Sequence, residues 1–523
     1  MSVDSSDPLA NFALRARAPA LTRVAATTGL LLLSIYCVML VLVSPIPVQD
    51  FPDHLARAAA MGDLIFHGGE RFGGLYEFHL LWIPYLLGDL ILMGAVELFG
   101  PTGGSALWTL LVFLSFPCGA LFYLRVRGIR SDDRVLVLLL ALYLATDWFF
   151  LMGFMTFQIS VGMLIATLGL VELLRRKWSY GVFALYIAAV ALDYLMHLSP
   201  VVFLVAALGV TALLRLRQRT TTLRTEVILF LPVIAILAWH FTVASGYREP
   251  GDPITSSYFW GTWSSKFARI GSQFFHYAPG TDLVLFGLLV AAMLARIGLP
   301  RWRDLRQPLV LEMLTLGLTF LAMFFVLPLG YSEAYYVDTR PLPFVSFFLI
   351  AACVALPRAN PSVKPVRERI ALALAVLLAV GNLVYLARHF LIDRAWITEY
   401  RSIVAAIPIH SRVLPVYTRG GEGSFFPFFH TSGFVAMDRA ASEPYVFAAN
   451  NGNPMKYFRY SHPSYDPPED WYGQLPRPAL DWQQVAQDYD FVLVTKPYDP
   501  AVLALPTRPL AENSTATLLQ IEK

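Results

Sequence analysis

The chain has 523 residues, of which 56% are hydrophobic and only 15% charged, whereas about a quarter of residues are charged in an ordinary soluble protein. Its formal net charge of +3 gives no support for nucleic-acid binding. There is no Walker-type GxxxxGK[ST], no CxxC pair and no HExxH, and the glycines of HGGERFGG lack the strand–loop–helix setting of a dinucleotide site. ATPases, nicotinamide enzymes and zinc hydrolases of those types are therefore unsupported, and the apolar runs, many of about 20 residues, are those of a polytopic membrane protein.

In chain order, residues 1–23 form a basic cytoplasmic segment carrying Arg15, Arg17 and Arg23. A first apolar run follows from Val24 and resembles a signal anchor, since no small-x-small cleavage site accompanies it. Spans are expected near 24–44, 81–99, 106–124, 134–150, 155–174, 180–196, 200–214, 225–242, 281–295, 308–329, 341–357 and 370–387. Arginine-rich connections at 125–134, 175–177, 215–224, 296–306 and 358–369 follow alternate spans and belong inside. The regions around Asp147, His197, 243–280 and 330–340 then lie outside, with everything after the last span.

A basic N-terminus inside and twelve spans would return the C-terminus to the inside, against the later arginines. An element between residues 55 and 150 is therefore either an extra span or a segment that enters without crossing. The fold class expected is mainly α: a bundle of about 12–13 spans over residues 24–388, with a first extracytoplasmic loop at 44–80. A turn-rich tail, 389–523, carries short apolar runs such as RVLPVY and DFVLVTK and reads as an extracytoplasmic α/β domain. Cys37, Cys118 and Cys353 all fall in apolar runs, so disulfides are not expected.

The stretch PVQDFPDHLARA places Asp50, Asp53 and His54 where the chain leaves its first span. Pro52 suits the start of a helix, whose N-terminal donors would favour an anion at Asp50. Helix capping and loop solvation are the alternative. Glu77 and His79 precede the second expected span. Asp193 and His197, at i and i+4, would share one helix side, either as part of a polar cavity or as a structural pair. In YSEAYYVDTRPLPF, residues 331–344, Arg340 is set between Asp338 and the next span. A guanidinium presents a rigid set of donors to phosphate oxygens; a salt bridge to Asp338 or Glu333 is the alternative. Together these groups suit a lipid-phosphate leaving group held by arginine and an acceptor hydroxyl activated by a carboxylate.

The segment Asp50-Phe-Pro-Asp-His54 resembles the D-x-P-x-H motif that opens many bacterial GT-C superfamily membrane proteins, integral glycosyltransferases that use polyprenyl-phosphate-linked sugars. The later DTRPLPF element and the extracytoplasmic tail are also similar. The resemblance implies a GT-C-like bundle, with Asp50 on the catalytic aspartate, His54 on its accompanying histidine and Asp53 at a variable position. It places Arg340 near the lipid phosphate; Asp338, Glu77, His79, Asp193 and His197 are further substrate-binding candidates from the residues themselves.

It further implies transfer from a polyprenyl-phosphate sugar to a glycan, lipid or protein acceptor of the cell envelope, at the outer side of the inner membrane. The donor is a substrate, no resident cofactor is expected, and a divalent cation is compatible with the chemistry. No WWDYG-type signature is present, which counts against oligosaccharide transfer to asparagine. A transporter or flippase, or a non-catalytic subunit of a polysaccharide assembly complex, would fit the same composition.

Overall fold

A computed structural model of the chain describes residues 20–243, 258–298, 302–331, 335–357, 364–417, 427–444, 446, 455–457, 482–498, 503 and 505–523. Among these, nine helices are long and apolar enough to cross a membrane, and two shorter apolar helices, Tyr180–Met196 and Leu342–Ala355, accompany them. These helices are apolar on nearly every face. In Ala20–Leu42, Tyr36 and Leu40 are buried in the bundle while Leu30, Leu31 and Val38 are exposed, as expected where one side meets lipid.

The helix Leu86–Val126 bears on the early topology. Its 41 residues would extend about 60 Å as one rod, twice a bilayer's hydrocarbon thickness. Gly100, at φ 71° and ψ 171°, breaks it immediately before Pro101. A side chain would be strained at that φ, so glycine is what permits the fold-back. The two arms then lie side by side: a Cβ on Gly104 would stand 2.6 Å from the Val96 nitrogen, and one on Gly88 3.5 Å from the Trp108 ring.

The first arm, 86–99, also runs along helix Phe51–Phe66. Asp89 meets Arg57 near the start of that helix, and Glu97 meets His67 just past its end. The stretch 81–99, expected to cross by itself, instead has its helical part folded back against the second arm and packed along the outer helix. Among the described residues the helices long and apolar enough to span thus number nine, fewer than the roughly 12–13 expected from hydropathy.

One end of the bundle is held by arginine–carboxylate contacts. Arg127 pairs with Glu172 and Glu312, Arg215 with the same two, Arg175 with Glu226, and Arg296 with Asp133. Arginine bias assigns this end to the cytoplasm. The other end carries helix Phe51–Phe66 and the C-terminal domain, which is thus extracytoplasmic.

That domain grows directly out of the last helix, Lys364–Val404, whose Tyr400, Ile403 and Val404 enter the domain core beside Val413, Phe491 and Leu518. Its four-stranded sheet pairs Val413–Val416 parallel with Phe491–Thr495. The latter pairs antiparallel with Ala516–Ile521, which pairs in turn with Thr507–Glu512. Two further contacts bind the domain to the outer loop: Tyr76–Phe78 pairs antiparallel with Met455–Tyr457, and Arg71 Nη2 donates to the Met437 carbonyl at 2.8 Å.

Candidate active site

Two backbone hydrogen bonds fix the start of the outer helix. The Gln49 and Asp50 N–H groups donate to the carbonyls of Leu151 and Met152, at the outer end of the span that starts at Ser131. Pro52 occupies the first turn, as its locked φ favours. Asp50 stands at the N-cap position, yet its side chain makes no capping hydrogen bond. Capping therefore does not explain this carboxylate. Helical spacing places Asp50, Asp53, His54 and Arg57 along one side.

Most of this side is buried: Asp50 is 8% exposed, Asp53 0% and Arg57 1%, with His54 partly exposed. Arg57 Nη2 lies 3.1 Å from His54 Nδ1 and 2.5 Å from Asp89 Oδ1. The remaining partner comes from the C-terminal domain. His430 Nδ1 is 2.5 Å from Asp53 Oδ2, an ion-pair approach without hydrogen-bond alignment, and its Nε2 is 3.5 Å from Asp50 Oδ1. Asp50 Oδ1 is buried and has no hydrogen bond.

Burial dominates the electrostatics. It pushes the Asp50 carboxyl up to about 7, with His430 opposing and Asp53 adding to the rise. It also raises Asp53 well above the usual carboxylate range despite Arg57 and the Gly433 N–H. Burial lowers both imidazoles, His54 with help from Arg57 and His430, and His430 against the pull of Asp50 and Glu443. A carboxyl that titrates near neutrality is suited to exchange protons with a hydroxyl.

A second cluster adjoins the first through the arm 86–99. One helical turn before Asp89, about 6 Å along the axis, Tyr85 places its hydroxyl 3.3 Å from His197 Nε2. Arg340 Nη1 is 2.9 Å from the same nitrogen and donates to Ser199 Oγ at 3.0 Å, while Nη2 donates to the Tyr335 carbonyl. The guanidinium lies over the Phe157 ring and is buried. Asp338 does not pair with it, being taken by Arg269 at 2.8 Å and Lys266 at 3.3 Å. Glu333 lies outside the described residues. Among those described, Arg340 has no carboxylate partner.

The other sequence candidates separate. His197 leaves helix Tyr180–Met196 with extended backbone, φ −164° and ψ 139°, so it turns to Arg340 and accepts from the Ser199 N–H instead of pairing with Asp193. Asp193 is buried with no hydrogen bond to its carboxylate. Glu77, on the outer strand, and His79, just past its end, pair with each other at 2.8 Å and are both half-exposed. Asp147 caps a short helical turn by accepting from the Phe150 N–H. Among the described residues, no group of three or more His, Cys, Asp or Glu side chains is placed to hold a metal ion.

Several contributors were not picked out from sequence. Asp89, an acid inside the apolar run LLGDLIL, carries a detectable signal, because such a charge needs a partner. Arg57, three residues after His54, carries another. His430 sits in FFPFFHTSG with nothing local to tie it to a loop near the other end of the chain.

No protein-family model matches the chain, and no curated protein does. Solved structures do. ArnT from Cupriavidus metallidurans in the apo state aligns over 96% of this chain and 98% of its own, at a TM-score of 0.55 and 12% identity. The same protein bound to undecaprenyl phosphate aligns over 94% and 97%, at 0.50 and 13%. At such identities the likeness establishes the fold. The chain shares the fold of that protein, built here as a polytopic helix bundle with a C-terminal domain of mixed sheet.

Proposed function

We propose that this protein transfers a sugar from a polyprenyl-phosphate donor to a cell-envelope acceptor at the outer membrane face. The observation that carries the reading is the buried Arg340, without a carboxylate partner among the described residues, one helical turn of the first arm from the Asp50 cluster. A buried cation calls for an anion, and a guanidinium suits phosphate oxygens. That a protein of the same fold was solved with undecaprenyl phosphate supports the choice of lipid.

In this reading the acceptor hydroxyl gives its proton to Asp50 as its oxygen bonds the anomeric carbon. The bond from that carbon to the phosphate oxygen breaks, and the electron pair leaves on the polyprenyl phosphate. Arg340 stabilises the developing charge. Asp53, His54 and Arg57 hold Asp50 in place and keep water out.

The test is transfer by purified protein from radiolabelled polyprenyl-phosphate sugars. Asp50→Asn is expected to lower turnover about 10²-fold or more with donor binding retained. Arg340→Ala should weaken donor binding, and Arg340→Lys should weaken it less, since charge persists without the fork. Wild-type turnover in Asp50→Asn would remove this mechanism. Movement of the lipid across vesicles without chemistry would identify a flippase instead.

A further inference from the structure

The carboxylates of Asp50 and Asp53 belong to the outer helix, but the imidazole set between them belongs to the C-terminal domain. The segment that carries it is built to hold the ring. The Ser432 N–H donates to Tyr417 Oη at 3.0 Å, Thr431 Oγ1 donates to the Phe428 carbonyl at 2.7 Å, and the Phe429 ring stands edge-on to His430 at 4.2 Å. Helix Gly433–Arg439 begins immediately after and rests on the outer helix, where a Cβ on Gly433 would fall 2.5 Å from the Pro52 carbonyl. This contact fixes how closely the histidine approaches the two acids.

We propose that His430 is a positioning residue for Asp50: Asp53 orients the ring through Nδ1, and Nε2 takes over the proton that Asp50 collects. The inference rests on the transferase reading above. The proton passes from the acceptor hydroxyl to Asp50 and then to Nε2, while Nδ1 keeps its own proton beside the Asp53 carboxylate. After the product leaves, the proton returns through Asp50 to solvent, and nothing is oxidised or reduced. A buried carboxylate that fixes the tautomer of an imidazole, which in turn serves a reacting group, is a general way to keep a base ready.

The groups that set the charge of this ring are Asp50, Asp53, His54 and Arg57 on the outer helix and Glu443 on its own domain. Glu443 is buried and draws positive charge toward the ring. Tyr76, also buried, faces Glu443 and Asp53 from the neighbouring strand.

The experiment has two arms, both on the full chain in lipid nanodiscs. In the first, imidazole-¹⁵N spectra are recorded across pH, with the His430 signals assigned by their loss in His430→Gln. Wild type should show the Nδ1-protonated ring, Asp53→Asn should lose that preference, and Asp50→Asn should shift the ring's titration to lower pH. A ring indifferent to both substitutions would overturn the proposal. The second arm compares kcat and KM of wild type and His430→Gln across pH.

Loss of the imidazole should lower kcat at least about 10-fold with donor KM unchanged, and should move the acid limb to higher pH, because His430 helps Asp50 ionise. An equal loss at every pH with an unmoved limb would reduce His430 to scaffold and also overturn it. A wild-type protein that transfers no sugar sinks the transferase reading, while the spectra still decide whether His430 and Asp50 are coupled.

Discussion

Asp50 ties up free energy that a soluble loop would not. Its carboxyl ionises near 3.8 when unfolded and near 7 in the fold, so the folded chain binds more protons between those values. Stability from this group is therefore greatest at low pH and falls as pH rises from about 4 toward 7. Asp50→Asn removes the titration, and its apparent Tm should exceed that of wild type by more at pH 7.5 than at pH 5. Thermal scans of both proteins at the two pH values check this, and an equal difference at both would show that burial does not perturb the group. Sequence made Asp50, Asp53 and His54 visible because charged groups at a membrane mouth stand out against apolar surroundings. His430 was not visible, since its role depends on a tertiary contact that no local spacing encodes. Arg340 was visible, but its partners were not: proximity in sequence suggested Asp338, whereas the fold gives that acid to Arg269 and Lys266.

Among elements, the first arm of helix Leu86–Val126 and the docking helix decide whether the site closes. The arm 86–99 is as apolar as a span although it folds back beside helix Phe51–Phe66, and hydropathy alone cannot separate the two. The glycine–proline pair at 100–101 was the available sign of a break. Helix Gly433–Arg439 depends on the missing side chain at its first residue, because a Cβ there would also stand 2.6 Å from Asp53 Oδ1. Gly433→Ala should force the helix outward at a cost of about 1–3 kcal/mol. The span bundle should survive, while turnover should drop at least about 10-fold as His430 withdraws. Transfer assays beside detergent-stability measurements check the pair, and full activity in Gly433→Ala would show that the contact is slack.

Over the whole molecule, charge is arranged by side. Cytoplasmic arginines are matched by glutamates and aspartates in buried pairs, whereas the outer Arg340 has no carboxylate partner among the described residues. The alternation of basic connections anticipated which end of the bundle carries these pairs. In a variant whose three cysteines are replaced, Glu70→Cys and Leu510→Cys should react with an impermeant maleimide from the outside, and Gln218→Cys only after permeabilisation. Reaction of only one of the first two would separate the outer loop from the C-terminal domain. The contact of Arg71 with Met437 requires them to share a side.

The placement of His430 also bears on biogenesis. The ribosome releases the outer loop with Asp50 early, but the histidine that meets it follows only after every span has been inserted and the last segment exported. A nascent or truncated chain ending near Val404 would hold a full set of spans around an open, unfinished centre. Such a chain could seat in the bilayer, yet it would lack the residue that closes the proton path. Assembly of the Asp50–Asp53–His430 cluster is thus withheld until translation and export are complete.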